Sequence, residues 1–374
     1  METNTTMRAI RSGAAPGHAK IVPDVPIPSP LIALAQHPTY VLVKPSYVGI
    51  NPCDYLFADY EGMFSPGITL GCEYAGEVIE VGSAVTNGLK KGDKIAGLAI
   101  ASAMPMPNAG TFAEYILVKG DAALRLGEMG TGISEAEAAS VNVALSTVFY
   151  ALYHLMGLPS PDIGASFHES LLGKGVVKTT ERSILIYGGS TTTGLMAIQW
   201  AKLSGMKVIA TCSVKNFDLV KDRGADYVVD YHDAKNCVDK IRNITDGQLR
   251  LVFDCVGAFE SPRICADAMS SIGEGCLYNS LSLTPFPRED VKSIFTPGEA
   301  VLGEARQVRG QVLPGDEELF KETKNFLRLT ERFFREGKIR PPPVEIVHGM
   351  EEILDVMDDL RKWKVSGKKM VARI

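Results

Sequence analysis

The first sign of chemistry is a run of small residues after a short apolar stretch. Gly188, Gly189, Ser190, Thr191, Thr192, Thr193 and Gly194 follow "SILIY" and precede "GLMAIQWAK". The spacing is that of a G-x-G-x-x-G turn with threonines in its centre. Gly188 suits the tight turn, and Gly194 suits close packing of a helix on a strand. A helix starting here offers free N–H groups and the positive end of its dipole, which together suit a pyrophosphate. Thr191 and Thr192 add hydroxyls that can donate to phosphate oxygens. The alternative is a plain glycine-rich connection. The strand before the run and the helix after it favour a dinucleotide.

The end of the next strand selects the dinucleotide. Chains that bind NAD place Asp or Glu about 20 residues beyond the glycines, for the ribose hydroxyls. The corresponding stretch, "ATCSVKNF", carries no acid; Ser213 and Lys215 stand there instead. A hydroxyl and an ammonium suit a 2′-phosphate, and Tyr231 after the third strand is a further candidate. NADPH is therefore expected over NADH, although Lys215 taken alone could be an ordinary solvated lysine.

These residues need a frame, and the chain supplies two textures. The first part is β-rich: "TYVLVKPSYVGI", "EYAGEVIEVG", "KIAGLA" and "GTFAEYILVKG" are short strands punctuated by glycine. That pattern predicts a small barrel. Ser134, with Glu137 three residues later, opens a long helix-forming run. An irregular insertion follows at 159–182, in which His168 reads as a solvated loop residue. From Ser183, strands and helices alternate through five strands, predicting a doubly wound parallel sheet. Two amphipathic helices and the strand "KKMVARI" close the chain and are expected to rejoin the first domain. The expected α/β division is 1–146 with 316–374 for the barrel domain, and 147–315 for the dinucleotide-binding sheet.

Bulk properties exclude several functions. The net charge of −5 comes without a long basic run, which argues against nucleic-acid binding. No stretch of about 18 apolar residues occurs, so no membrane span is expected. The N-terminus lacks the apolar core of a signal peptide. The seven cysteines are scattered and odd in number, which suits a reduced, cytoplasmic protein.

"GINPCDY", "GCEYAGEVIEVG" and "GTFAEY", followed by the phosphate turn, resemble the medium-chain dehydrogenase/reductase superfamily. "YGGSTTTG", "ATCSVKNFDLVKDRGAD", "SLSLTPFP" and "LGEA" resemble its zinc-free fungal branch. These are the trans-acting enoyl reductases that partner iterative polyketide synthases, as in lovastatin biosynthesis. The resemblance implies a GroES-like catalytic domain, a Rossmann domain and a cleft between them. It also implies hydride transfer from NADPH to the β-carbon of an α,β-unsaturated thioester, with a proton going to the α-carbon. Asn216, Cys255, Leu281, Leu302 and Gly303 complete the expected cofactor contacts.

Zinc-dependent relatives carry ligands at positions that here hold Asn51, Cys72 and Val143. One thiolate cannot hold zinc, since catalytic sites need about three protein ligands, so no metal is expected and alcohol oxidation is disfavoured. Asp54 and Glu73 are expected to hold barrel loops through hydrogen bonds.

Conjugate reduction also needs donors at the developing enolate. The family's motif ends in lysine, but here Asn51-Pro52-Cys53-Asp54-Tyr55-Leu56 ends in leucine. In one reading other donors serve: Thr147, the nicotinamide ribose 2′-hydroxyl, Tyr55 or Tyr60, with Asn51 shaping the cofactor side. In the other, reduction has been lost and the chain is a non-reducing, NADPH-binding auxiliary protein. A quinone or enone reductase acting on free small molecules is a third possibility.

Superfamily members often dimerise through sheet edges. Pro285 and Pro287 in "YNSLSLTPFPRED" would interrupt an added ladder, so a monomer is expected. The resemblance implies a polyketide synthase, or its carrier-bound intermediate, as partner.

Overall fold

A computed structural model describes residues 5–60, 66–99, 110–162, 183–308 and 311–374. Most of the 159–182 insertion, His168 included, lies outside the described residues. The chain divides into two compact units, Met1–Val143 with Glu299–Ile374, and Ala144–Gly298.

The first unit begins with the antiparallel pair β1 (Thr6–Ser12) and β2 (Ala19–Pro26), then α1 (Pro30–Gln36). β3 (Tyr40–Gly49) leads through α2 (Pro52–Asp59) into β4 (Glu73–Val81), its antiparallel partner. β5 (Lys94–Leu98), β6 (Ile116–Lys119) and β7 (Ala123–Arg125) extend the sheet. Alternating apolar residues put Val41, Val43 and Val78 fully inside it.

The helix-forming run expected after Ser134 is broken. Ser134 does cap α3 (Glu135–Ala138), and it and Glu137 form a capping box. Residues 139–141 then interrupt the helix before α4 (Asn142–Val148), and a π-helical stretch covers Phe149–Leu155. The break has a cause: Val143 donates its N–H to Glu73 Oε2 at 2.9 Å, outside the helix.

The second unit alternates strand and helix: β8 (Ser183–Tyr187), α5 (Thr192–Leu203), β9 (Lys207–Thr211), α6 (Phe217–Asp222) and β10 (Tyr227–Val229). It continues with α7 (Ala234–Ile244), β11 (Leu251–Asp254), α8 (Ser261–Ala268), β12 (Leu277–Ser280) and β13 (Lys292–Phe295). The sheet is all parallel, in the order β10-β9-β8-β11-β12-β13. Its central strands are almost wholly apolar because helices cover both faces. The order reverses between β8 and β11, and ligands of such sheets bind at that switch point.

β13 is a sixth strand beyond the five expected, and it corrects the edge argument. It pairs outside β12, so Pro285 and Pro287 lie in the β12–β13 connection and do not guard the edge. The monomer expectation loses that support.

The tail returns to the first unit through the hairpin β14 (Arg306–Val308) and β15 (Gln311–Leu313), then α9 (Glu317–Arg335), β16 (Val344–His348), α10 (Gly349–Arg361) and β17 (Lys369–Arg373). β17 runs antiparallel to β3 and parallel to β16. Residues 299–315, expected with the dinucleotide-binding sheet, cluster with the first unit. Tyr40 and Lys119 hold Glu304 there, the tyrosine hydroxyl at 2.7 Å and the ammonium at 3.5 Å. No helix among the described residues is long and apolar enough to cross a membrane.

Candidate active site

In the second unit, the turn after β8 has the geometry of a phosphate cradle. Gly188 has φ +78°, and a Cβ there would lie 2.7 Å from Val256 Cγ2. A Cβ on Gly194 would lie 2.3 Å from the Gly188 carbonyl oxygen, so α5 can approach the strand this closely only through glycine. Thr211 holds the turn from β9: its Oγ1 accepts from the Gly188 N–H at 3.1 Å, and its carbonyl accepts from Gly189 at 2.7 Å.

The turn corrects one expectation. Thr191 is the N-cap of α5, its Oγ1 accepting from the Gly194 N–H at 2.9 Å and donating to the Gly188 carbonyl at 2.9 Å. That hydroxyl is spent on the loop and is not free for a phosphate. Thr192 and Thr193 occupy the first helical positions, where amides have no intrahelical acceptor. The donors offered to an anion are therefore chiefly backbone N–H groups, with Ser190 beside them.

Cys255 follows β11 directly and donates its N–H to the Tyr187 carbonyl at 3.0 Å, across the switch point from the turn. Burial holds its thiol well above the usual range. Leu281 follows β12, its N–H reaching the Asp254 carbonyl at 3.3 Å. Ser213 and Lys215 lie just past β9, where Ser213 caps a 3-10 turn over Val214–Asn216. Asn216 is buried, and Tyr231 packs against Tyr187 with ring centroids 5.9 Å apart. Thr147, 6% exposed, lies in α4 of the same unit. A Cβ on Gly298 would come within 2.6 Å of its Oγ1.

In the first unit, Asn51 caps α2 and anchors a buried polar network. Its Nδ2 donates to Glu73 Oε1 at 2.8 Å, and its N–H donates to Asp54 Oδ2 at 2.7 Å. Lys369, at the start of β17, reaches Glu73 Oε1 at 2.5 Å and also donates to Asn51 Oδ1. Glu73 and Lys369 are 0% and 5% exposed. Sequence reasoning looked for a lysine at position 56 and did not see Lys369. It does not replace the family's lysine, because its ammonium is committed to Asn51 and Glu73. Leu56 is exposed on α2, and Tyr60, also exposed, ends that helix. Tyr55 lies under the Arg361 guanidinium, which is paired with Asp59 at 2.6 and 2.8 Å.

Cys53 and Cys72 meet beside this network, Sγ to Sγ at 3.4 Å. Burial pushes the Asp54 carboxyl up to about 7. The Cys53–Cys72 hydrogen bond, with burial behind it, holds the Cys72 thiol well above its usual range. The same bond pulls Cys53 down, but burial and the adjacent Asp54 leave it raised.

Leu302 and Gly303 lie in the first unit. Lys119 Nζ donates to the Leu302 carbonyl at 2.7 Å and sits 3.8 Å from the Phe320 ring centroid. Gly303 has φ +65°, and a Cβ there would lie 2.6 Å from Phe320 Cβ.

Comparison with known proteins fits this geometry. Residues 37–128 match the alcohol dehydrogenase GroES-like domain, and 192–329 match the zinc-binding dehydrogenase family. The chain is 37% identical over 354 residues to the trans-enoyl reductase ACTTS2 of Alternaria alternata, covering 94% of this chain and 95% of the relative. It is 33% identical over 355 residues to the enoyl reductase component of the lovastatin nonaketide synthase of Aspergillus terreus, covering 93% and 91%. A mycobacterial structure solved with NADPH shares the fold, with TM-score 0.69, 21% identity and coverage of 99% and 100%.

The zinc implied by the second family description does not fit its usual positions. Asn51 is engaged by Glu73 and Lys369, and Val143, whose N–H goes to Glu73, has no ligating side chain. The GroES-like match, the parallel sheet and the curated relatives agree: the chain is an oxidoreductase of the medium-chain dehydrogenase/reductase superfamily and belongs to its trans-enoyl reductase family.

Proposed function

We propose that the chain transfers hydride from NADPH to the β-carbon of an α,β-unsaturated polyketide thioester, working in trans with a polyketide synthase. The observation that carries the reading is the phosphate turn at the sheet's switch point, with Ser213 and Lys215, and no acid, closing β9. The backbone amides of Thr192 and Thr193 bind the pyrophosphate, and the Lys215 ammonium meets the 2′-phosphate. Thr147 donates its hydroxyl toward the reacting carbonyl or the nicotinamide, and solvent supplies the α-proton. Reduction by this route uses no metal.

The test is NADPH oxidation, followed by absorbance, with a crotonyl thioester and with a simple quinone. Turnover of the thioester and not the quinone supports the reading. Turnover of the quinone alone transfers the protein to the quinone or enone reductases. NADPH binding without oxidation of either favours the auxiliary reading that Leu56 raises. Thr147→Ala is expected to lower kcat by about 10²-fold, the lower end for one lost oxyanion donor. Full activity in that variant removes Thr147 from the mechanism.

A further inference from the structure

We propose that Lys20, Arg11 and Thr69 form an oxyanion site that takes the phosphate group on the arm of a thioester substrate. Lys20 stands directly opposite Arg11 in the antiparallel β1–β2 pair, and Thr69 bridges to Arg11 from its other side. Backbone bonds fix that second side: Ser12 donates its N–H to the Ile68 carbonyl at 3.0 Å, and Leu70 donates to the Ile10 carbonyl at 3.0 Å. Directly opposed residues share a face, with Cβ atoms about 4.5–5.5 Å apart. An ammonium, a guanidinium and a hydroxyl therefore form one row. Thr69 is buried, Arg11 is partly buried and Lys20 is exposed, so the row runs from the interior to solvent.

The fold does not neutralise this row. Among the described residues, neither the Arg11 guanidinium nor the Lys20 ammonium has a hydrogen-bond or ion-pair partner, and Arg11 Nε is buried without an acceptor. Arg8, on the same strand, has Glu351. Residues 5–23 and 66–72 contain no Asp or Glu, in a chain whose net charge is −5. Like charges directly opposed across a sheet destabilise it, and a buried N–H without an acceptor keeps its desolvation cost. A bound oxyanion offsets both. The guanidinium fork matches two phosphate oxygens, and the ammonium and the hydroxyl donate to the others.

The row lies close to α2. Gly17, in the β1–β2 turn, donates its N–H to the Ala58 carbonyl at 3.0 Å, and α2 ends at Tyr60, one of the donors weighed for the enolate. The arm that tethers an acyl thioester to a carrier protein ends in a phosphate. Its charge is held by the row while the acyl chain continues to the reacting carbon. The row shares no residue with the phosphate turn, which belongs to the second unit. The choice of ligand rests on the proposed thioester reaction, whereas the oxyanion site rests on the first unit alone.

The test uses the full chain with NADP⁺ present to fill the nucleotide site. Pantetheine 4′-phosphate, pantetheine and inorganic phosphate are each titrated by calorimetry. The phosphorylated arm should bind about tenfold more tightly than pantetheine, as one charge-assisted hydrogen bond allows. Arg11→Gln and Lys20→Gln should each remove most of that difference and leave pantetheine binding unchanged. In turnover, each variant should raise KM for the crotonyl thioester of pantetheine 4′-phosphate by about tenfold at constant kcat. The KM of the crotonyl pantetheine thioester should stay as it was. Absence of turnover with both thioesters refutes the proposed reaction, and the calorimetric difference still tests the site. Inorganic phosphate that binds as tightly as the phosphorylated arm, and is lost in the variants, assigns the row to free phosphate and overturns the arm as ligand. Equal affinity for pantetheine with and without its phosphate, or an undiminished preference in both variants, overturns the proposal. Arg11→Gln sheds an unpaired charge, so its melting midpoint should not fall. The phosphorylated arm should raise the midpoint of the parent more than that of the variant, which separates lost binding from a misfolded protein.

Discussion

Replacing Lys369 with methionine keeps most of the side-chain stem and deletes the charge. In the parent, the Lys369 ammonium lies 2.5 Å from Glu73 Oε1, with the two residues 5% and 0% exposed. The variant leaves Glu73 a buried carboxylate held, among the described residues, by Asn51 Nδ2 at 2.8 Å and the Val143 N–H at 2.9 Å. Removing one partner of a buried ion pair costs about 3–5 kcal/mol, mostly the penalty of stranding the other charge. The two surviving donors to a charged acceptor moderate that, so about 3 kcal/mol is expected. For a domain of roughly 150–250 residues each kcal/mol moves the midpoint by about 2–4 °C. The first unit should therefore melt roughly 6–12 °C lower by calorimetry. The double variant Lys369→Met/Glu73→Gln should recover more than half of the loss, because the amide is neutral and still accepts the Val143 N–H. The cycle of single and double variants measures the coupling. A shift under about 2 °C in the single variant, or a double variant less stable than the single, would refute a mutually compensated buried pair.

Three further outcomes are expected. Gly194→Ala drives a Cβ to 2.3 Å from the Gly188 carbonyl, so NADPH binding by fluorescence titration should weaken more than about tenfold, a cost of about 1.4 kcal/mol or more. Lys215→Ala should weaken NADPH by about tenfold and leave NADH unchanged; an equal loss for both cofactors would show that the lysine does not read the 2′-phosphate. Burial raises the Asp254 carboxyl despite hydrogen bonds from Ser261, Tyr278 and the Val256 and Gly257 amides. A carboxyl raised on folding favours the folded state at pH below its unfolded value, and that advantage is lost as pH rises through the folded one. Asp254→Asn should therefore gain stability relative to the parent as pH rises from about 4, and a difference that does not vary with pH would contradict this.

What the sequence makes readable is what a few neighbouring residues determine. The glycine turn after β8 could be found because Gly188 and Gly194 serve one local conformation between an apolar strand and an apolar helix. The return of the tail was readable from helix periodicity followed by "KKMVARI". Two misses involve a partner far along the chain. Lys369 is 318 positions from Asn51, and nothing in "SGKKMV" distinguishes it from its exposed neighbour Lys368. The break after Ala138 depends on Glu73 capturing the Val143 amide, a bond spanning 70 positions, while the local pattern favours an unbroken helix. The Thr191 hydroxyl was assigned to the ligand because sequence counts donors, whereas the fold first satisfies its own Gly188 carbonyl and Gly194 amide. Cys53 and Cys72 stand 19 positions apart, and no local pattern predicts that they meet. The turn of α2 onto the start of β4 brings the two sulfurs to 3.4 Å. Such a meeting is a property of the fold, and a motif compared position by position with its relatives cannot contain it.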